Sequence, residues 1–228
     1  NDYKYSDINL SYGEEDIARM TKNKYGIKVQ LNASTITEEF FENLERYSPN
    51  YENIDALHNF YPRIGTGISE ECMINKNKLL KEKGIKPCAF VQSNNRKRSP
   101  LKDGLPTLED HRNKEVREAA NHLFALGNTS VFIGDSLPSI KELKDLSALN
   151  PEVIELDIQL NVKDNTIIRL LNEVYSARTD EARDAIRASE SRLRLNGDII
   201  EPYNTVEKKY GDITIDNKDY LRYMGELQ

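Results

Sequence analysis

Cysteine is scarce, long apolar runs are missing, and positive charge does not dominate. Cys72 and Cys88 are the only cysteines among 228 residues, too few for a disulfide scaffold or a four-ligand zinc site. Cys88 sits in an apolar run and reads as a small buried hydrophobe. This thiol usage fits a reducing, cytoplasmic setting. No stretch approaches the roughly 20 apolar residues that span a bilayer, so no membrane partner is expected. The formal net charge of −6 argues against non-specific nucleic-acid binding. No second histidine stands at metal-ligand spacing from His58, so neither a metal nor a cofactor is expected. P-loop, G-x-S-x-G and complete G-x-G-x-x-G elements are absent too. The chain opens at Asn1 without an initiator Met, which leaves room for a targeting segment upstream.

What is present is a soluble composition, 38% hydrophobic and 31% charged, with a repeated pattern. Four apolar runs end abruptly in polar or ionisable residues. Ile27–Leu31 runs into Asn32, and Ile54–Leu57 into His58-Asn59. Pro87–Val91 runs into Gln92-Ser93-Asn94-Asn95, and Val131–Ile133 into Gly134-Asp135. Between them lies enough chain for a helix and two turns. This is how βα repeats gather chemistry at the carboxyl ends of parallel strands.

The spacing predicts helices over Glu14–Thr21, Thr37–Leu44, Ser69–Lys83, Glu115–Leu126 and about Lys141–Leu146. Ser69 reads as an N-cap, and Gly84 and Gly127 as C-terminal stops. A further short strand is expected at Ile8–Leu10. Alternation of strand and helix stops near Asn150-Pro151, which sets an expected boundary between domains 1–150 and 151–228. Val153–Leu160 alternates with period two, as an antiparallel strand does. A charged helix over about Asp180–Arg192 and a strand at Gly211–Ile215 complete the reading. Five strands precede the boundary, whereas a closed (β/α)8 barrel needs eight. An open doubly wound sheet and a barrel lacking its first strands are both compatible with that count.

The polar strand ends define a mouth of Asn32, His58, Asn59, Ser93, Asn94 and Asp135. The ordinary alternative is that such residues cap helices and bind water, as in any α/β protein. His58-Asn59-Phe60-Tyr61-Pro62-Arg63 is the densest cluster. Arg63 can fork onto a carboxylate or phosphate, and Tyr61 can stack on a sugar face. Against this, a buried, hydrogen-bonded His58 and a surface ion pair at Arg63 would be merely structural. Arg96-Lys97-Arg98 offers three more cations, although most basic triplets are solvated. Glu109 and Asp135 are the candidate carboxylates for glycoside hydrolysis, with Asp103 and Asp110 behind them.

His58–Arg63 with Thr66-Gly67-Ile68-Ser69, Ser93-Asn94-Asn95, Gly104–Glu109, His111-Arg112 and Val131–Asp135 together resemble the bacterial 6-phospho-N-acetylmuramidase family. In the second half Ile186–Arg192, Gly211–Asn217 and Tyr223–Gln228 resemble it too. The resemblance implies an α/β fold: the C-terminal part of a (β/α)8 TIM-type barrel, about strands 4–8, followed by a small cyclophilin-like β domain. The chain would then be a fragment, with the second domain incomplete. It also implies a glycosidase that cleaves N-acetylmuramic acid 6-phosphate from N-acetylglucosamine in cytoplasmic peptidoglycan recycling. The partner would be a phosphorylated amino-sugar disaccharide, bound by Asn32, His58, Asn59, Tyr61, Arg63, Ser93, Asn94 and Arg98, with Asp135 or Glu109 as acid; self-association stays open. The substrate's own 2-acetamido group can attack the anomeric carbon in such chemistry. The family pattern Leu-Arg-Leu-Asp-aromatic-Gly is met here by Ile8-Asn9-Leu10-Ser11-Tyr12-Gly13. Asn9 and Ser11 thus replace an Arg and an Asp. That departure carries the rival expectation, a non-catalytic phosphosugar-binding or regulatory protein.

Overall fold

A computed structural model describes residues 12–228, and the chain divides into two compact units, Asn1–Leu156 and Asp157–Gln228. The strand expected at Ile8–Leu10, with Asn9 and Ser11, lies outside the described residues. The first unit is α/β. Its strands are β1 (Val29–Asn32), β2 (Ile54–Leu57), β3 (Lys86–Val91) and β4 (Ser130–Ile133), all parallel and in the order β1-β2-β3-β4. Each apolar run of the sequence is therefore a strand, and all four carboxyl ends face one way.

The helices follow from local chemistry. α1 (Glu14–Met20) carries three acids in its first turn, where the helix dipole favours them. α2 (Glu38–Glu45) starts where the Thr37 side chain accepts from the Phe40 amide. α3 (Glu70–Glu82) is capped by Ser69, which accepts from the Cys72 amide. It stops at Gly84, whose φ of +71° suits a residue without a side chain. α4 (Val116–Ala125) ends before Gly127 at φ +87°. α5 (Ile140–Ser147) opens with a capping box between Ser139 and Glu142.

These helices cover the sheet with two apolar clusters. Ile17, Leu31, Phe41, Leu44, Ile54 and Leu80 form one, on the β1–β2 side. Met73, Ala89, Val91, Leu108, Val116 and Leu123 form the other, on the β3–β4 side. Cys88 is buried and free, as expected; Cys72 is free and half-buried. Among the described residues no helix is long and apolar enough to cross a membrane.

The second unit departs from the sequence pattern. Residues 153–160 alternate but form no strand, since alternation supplies a face and not the partner ladder a strand needs. The charged helix expected over Asp180–Arg192 does not form. Residues 176–178, just before it, are tied to residues 187–189 instead: Ala177 bridges Ala188 antiparallel, Arg178 N–H donates to Arg187 C=O at 2.9 Å, and Ser189 N–H donates to Ser176 C=O at 2.9 Å. A straight helix between them would hold those two segments apart. Gly211–Ile215 contributes a single bridge, Ile215 to Leu227. An unexpected helix, α6 (Asn165–Leu171), is capped by the Asp164 carboxylate accepting from Thr166 and Ile167. Its Ile167 and Leu170 pack with Leu195 and Ile200 into this unit's core.

Leu123 is fully buried, whereas Leu156 is 78% exposed. Leu123→Ala is expected to cost about 2–5 kcal/mol and Leu156→Ala about 0.5 kcal/mol or less. Denaturant unfolding followed by far-UV circular dichroism measures both, and equal losses would contradict this assignment of the core.

Candidate functional site

At the carboxyl ends of β2 and β3 the chain leaves the ladder, and its backbone amides need other acceptors. Three carboxylates supply them. Glu109 accepts from the Gly65 and Gly67 amides, both at 2.8 Å, and so fixes the loop after β2. Gly67 must lack a side chain here, because a Cβ would lie 2.6 Å from the Glu109 nitrogen. Asp135, 3% exposed, accepts from Ser93 at 2.9 Å, Arg98 at 2.8 Å and Leu105 at 3.2 Å, all backbone amides of the segment after β3. Glu142 accepts from the Asn94 amide at 2.7 Å and the Ser93 hydroxyl at 2.9 Å, besides capping its own helix through Ser139.

Arg112 joins the pieces. Its guanidinium forks onto Glu109, with Nε to Oε1 at 2.7 Å and Nη2 to Oε2 at 2.8 Å. The remaining donors reach the backbone carbonyls of Asp103 at 3.0 Å, Gly104 at 3.3 Å, Tyr61 at 3.1 Å and Arg63 at 3.3 Å. One side chain thus ties the loop after β2 to the segment before Leu105.

The electrostatics follow. The Arg112 bonds outweigh burial and, with the Gly65 and Gly67 amides, hold the Glu109 carboxyl down at about 2. Burial alone would push Glu142 up, but the bonds from Ser139, Asn94 and Ser93 bring it below the usual carboxylate value. Burial pushes His58 down against an opposing bond to Asn77, and the charge of Lys76 adds to the fall. His111 is buried and pushed down to about 3, by burial first and then by His122 and Lys114. Its Nε2 lies 2.8 Å from His122 Nδ1.

The expected site residues fall into two groups. His58 and Ser93 are fully buried and bonded within the protein, so neither presents its side chain to solvent. The Asn32 side chain accepts from the Ser34 amide in its own turn. The side chains of Asn59, Arg63, Asn94 and Arg98 are exposed, and Tyr61 is half-buried. Arg98 lies over the Phe60 ring at 5.8 Å, and Phe60 meets Phe90 edge-on at 5.2 Å, which brings the loops after β2 and β3 together. Among the described residues Arg63, Arg96 and Arg98 form no ion pair through their side chains.

Glu109 is not placed as a resting general acid. A carboxyl held near 2 by a guanidinium and two amides carries no proton near neutrality. Asp135 has both oxygens committed to backbone amides. Both carboxylates act on the shape of the mouth. Sequence reasoning missed Arg112 and Glu142 as its organisers, although Glu109-x-x-Arg112 has ion-pair spacing and Ser139-x-x-Glu142 is a capping-box signature. In the second unit Arg187 and Arg192 lie 3.7 and 3.6 Å from Glu226 and are ion-paired with it.

The chain is similar to known proteins. A family model described as 6-phospho-N-acetylmuramidase, N-terminal, matches residues 8–148, and one described as 6-phospho-N-acetylmuramidase, C-terminal, matches residues 153–228. The crystal structure of an uncharacterized B. cereus protein is similar at 31% identity and a TM-score of 0.86, over 96% of this chain and 64% of that one. A conserved Enterococcus faecalis protein of unknown function is similar at 32% identity and a TM-score of 0.60, over 95% of this chain and 59% of that one. The chain thus spans less than two thirds of the length of either structure. No curated protein matches it.

The perturbed groups set an acid limb. His111 titrates at 6.5 when unfolded and about 3 when folded, so stability falls as pH drops from about 6.5 towards 3. Glu109 titrates at 4.5 unfolded and about 2 folded; its contribution is complete above 4.5 and is lost as pH falls to about 2. Urea unfolding across this range is expected to show the wild-type loss steepening below about 4.5, and Glu109→Gln flattening that lower part alone. Superimposable pH slopes for the two proteins would refute the assignment.

Proposed function

Since the chain belongs to the 6-phospho-N-acetylmuramidase family, we propose that the protein is a glycosidase that releases N-acetylmuramic acid 6-phosphate from N-acetylglucosamine. The observation that carries the reading is the two cations Arg63 and Arg98, on adjoining loops at the strand carboxyl ends, which form no ion pair among the described residues. The substrate bears a phosphate and a lactyl carboxylate, and charge-assisted bonds from two arginines suit such anions. Exposed Asn59 flanks the same mouth and can hold sugar hydroxyls or the acetamide, whereas the Asn94 side chain accepts from Gln92 Nε2 at 2.7 Å and donates to the Lys114 carbonyl at 3.1 Å. Tyr61 and Phe60 offer ring faces to the sugar.

The mouth's carboxylates work as positioning groups in this reading. Glu109 and Asp135 hold the loops that carry Arg63 and Arg98, so the substrate meets donors already in place. The leaving oxygen takes its proton from a group other than Glu109. Attack by the substrate's 2-acetamido group would ask the least of the protein, one acid and one orienting partner. Cytoplasmic peptidoglycan recycling is the proposed setting.

The same reading extends to the fold. Among the described residues strand order runs 1-2-3-4 without the reversal of a doubly wound sheet, which supports reading the first unit as a segment of a (β/α)8 barrel; a cyclophilin-like second domain is proposed from the family resemblance alone. One observation favours the rival, a phosphosugar-binding protein without turnover: both expected carboxylates have their oxygens engaged by the protein itself.

Incubation of the protein with the 6-phosphorylated disaccharide separates the two. Release of N-acetylglucosamine is expected, with Arg63→Ala and Arg98→Ala each raising KM about tenfold or more, the weight of a hydrogen bond to a charged group. Saturable binding without release would establish the rival.

A further inference from the structure

The buried His58 is the middle of a hydrogen-bonded chain whose direction is fixed from its far end. The Leu126 carbonyl is an acceptor only, so Asn77 turns its Nδ2 towards it, at 3.1 Å. Asn77 Oδ1 therefore faces His58 Nε2, at 3.0 Å, and that nitrogen must carry the proton. His58 is fully buried, beside the charge of Lys76, and stays neutral. Its Nδ1 is then a bare lone pair, and the Ser34 hydroxyl 3.2 Å away must donate to it. The Asn59 amide donates to the same Ser34 oxygen at 3.0 Å.

Ser34 stands just beyond the carboxyl end of β1 and is partly exposed. Its one proton points inward and one of its lone pairs is taken. A single acceptor position remains, on the side away from His58 and Asn59. A free serine hydroxyl rotates between donor and acceptor roles; this one cannot.

We propose that Ser34 is a specificity-determining residue of the mouth, its oxygen accepting a hydrogen bond from an N–H or O–H group of the bound sugar, with His58 and Asn77 as positioning residues that lock it in that role. The ligand class rests on the phosphosugar reading above; the orientation of the chain does not. Ser34 would reject an analogue that presents an acceptor where the sugar presents a donor, because two lone pairs would then face each other. The arrangement also explains why a histidine at the mouth is buried: it sets the hydrogen-bonding sense of the residue in front of it.

Two measurements on the whole protein decide this. Nitrogen-15 NMR of the His58 ring reads the tautomer, and titration with N-acetylmuramic acid 6-phosphate gives dissociation constants for the wild type, Ser34→Ala and Ser34→Thr. The expected result is a neutral ring protonated on Nε2, a loss of about 2- to 10-fold in affinity for Ser34→Ala, and near-wild-type affinity for Ser34→Thr, which keeps the hydroxyl. A proton on Nδ1 overturns the proposal, as does unchanged affinity in Ser34→Ala while the wild type binds. Failure of the wild type to bind the sugar overturns both this and the functional reading. Weakened binding in Ser34→Thr equal to that of Ser34→Ala would mean that packing and not the hydroxyl matters, and would also overturn it.

Discussion

The pairing of Arg112 with Glu109 is the contact on which the mouth depends. The arginine is almost fully buried, its side chain 6% exposed, and a buried guanidinium is tolerable only with its donors satisfied. Here they are, by one carboxylate and four carbonyls. The carboxylate in turn holds the Gly65 and Gly67 amides. Removing Glu109 would leave a buried guanidinium without its counter-charge, and removing Arg112 would leave the carboxylate without its ion-pair partner. Asp135 and Glu142 repeat the device for the segment after β3. Loops beyond a parallel sheet have no ladder to bond to, and in this protein carboxylates take the ladder's place.

That use of acids shapes the functional account. A mouth whose backbone is pinned presents its exposed side chains at fixed positions, and such preorganisation is what a binding or transition-state site needs. It also has a consequence for proton transfer. An acid recruited to hold amides is ionised by the same bonds that make it useful, as the low value at Glu109 illustrates. Arg63, Arg98 and Asn59 are exposed at the mouth, and in the proposed function they bind substrate and do not supply its proton. The Ser34–His58–Asn77 chain follows the same logic, with polar burial spent on the orientation of one surface atom.

Much of the first unit was legible because its elements announce themselves locally. Ile54–Leu57 and Val131–Ile133 are apolar runs bounded by turn residues, and Thr37, Ser69 and Gly84 are caps whose roles depend on a few neighbours. The second unit was not legible for the converse reason. Val153–Leu160 has a strand's alternation without a paired strand, and Arg178–Arg187 has a helix's composition but is closed on itself by backbone bonds and by Asp180, which pairs with both arginines at 2.8 Å. α6 had its signal, an Asp cap before Ile167 and Leu170, yet the stretch is short. In the site, residue types at strand ends were readable while their direction was not. His58, Ser93 and Asp135 are polar residues near the mouth, and only the fold reveals that they face inward. Arg112 was invisible as a hub because four of its partners are carbonyls, which no side-chain pattern encodes.

Native-state hydrogen exchange at single-amide resolution tests the central claim, that carboxylates fix the mouth's backbone. The amides of Gly65, Gly67, Ser93, Asn94, Arg98 and Leu105 have no ladder partner, and each donates to one of these three acids. The account predicts that all six are protected near neutral pH, and that Glu109→Ala releases Gly65 and Gly67 while Ser93, Asn94 and Leu105 stay protected. Exchange of the six at free-peptide rates in the wild-type protein would contradict it.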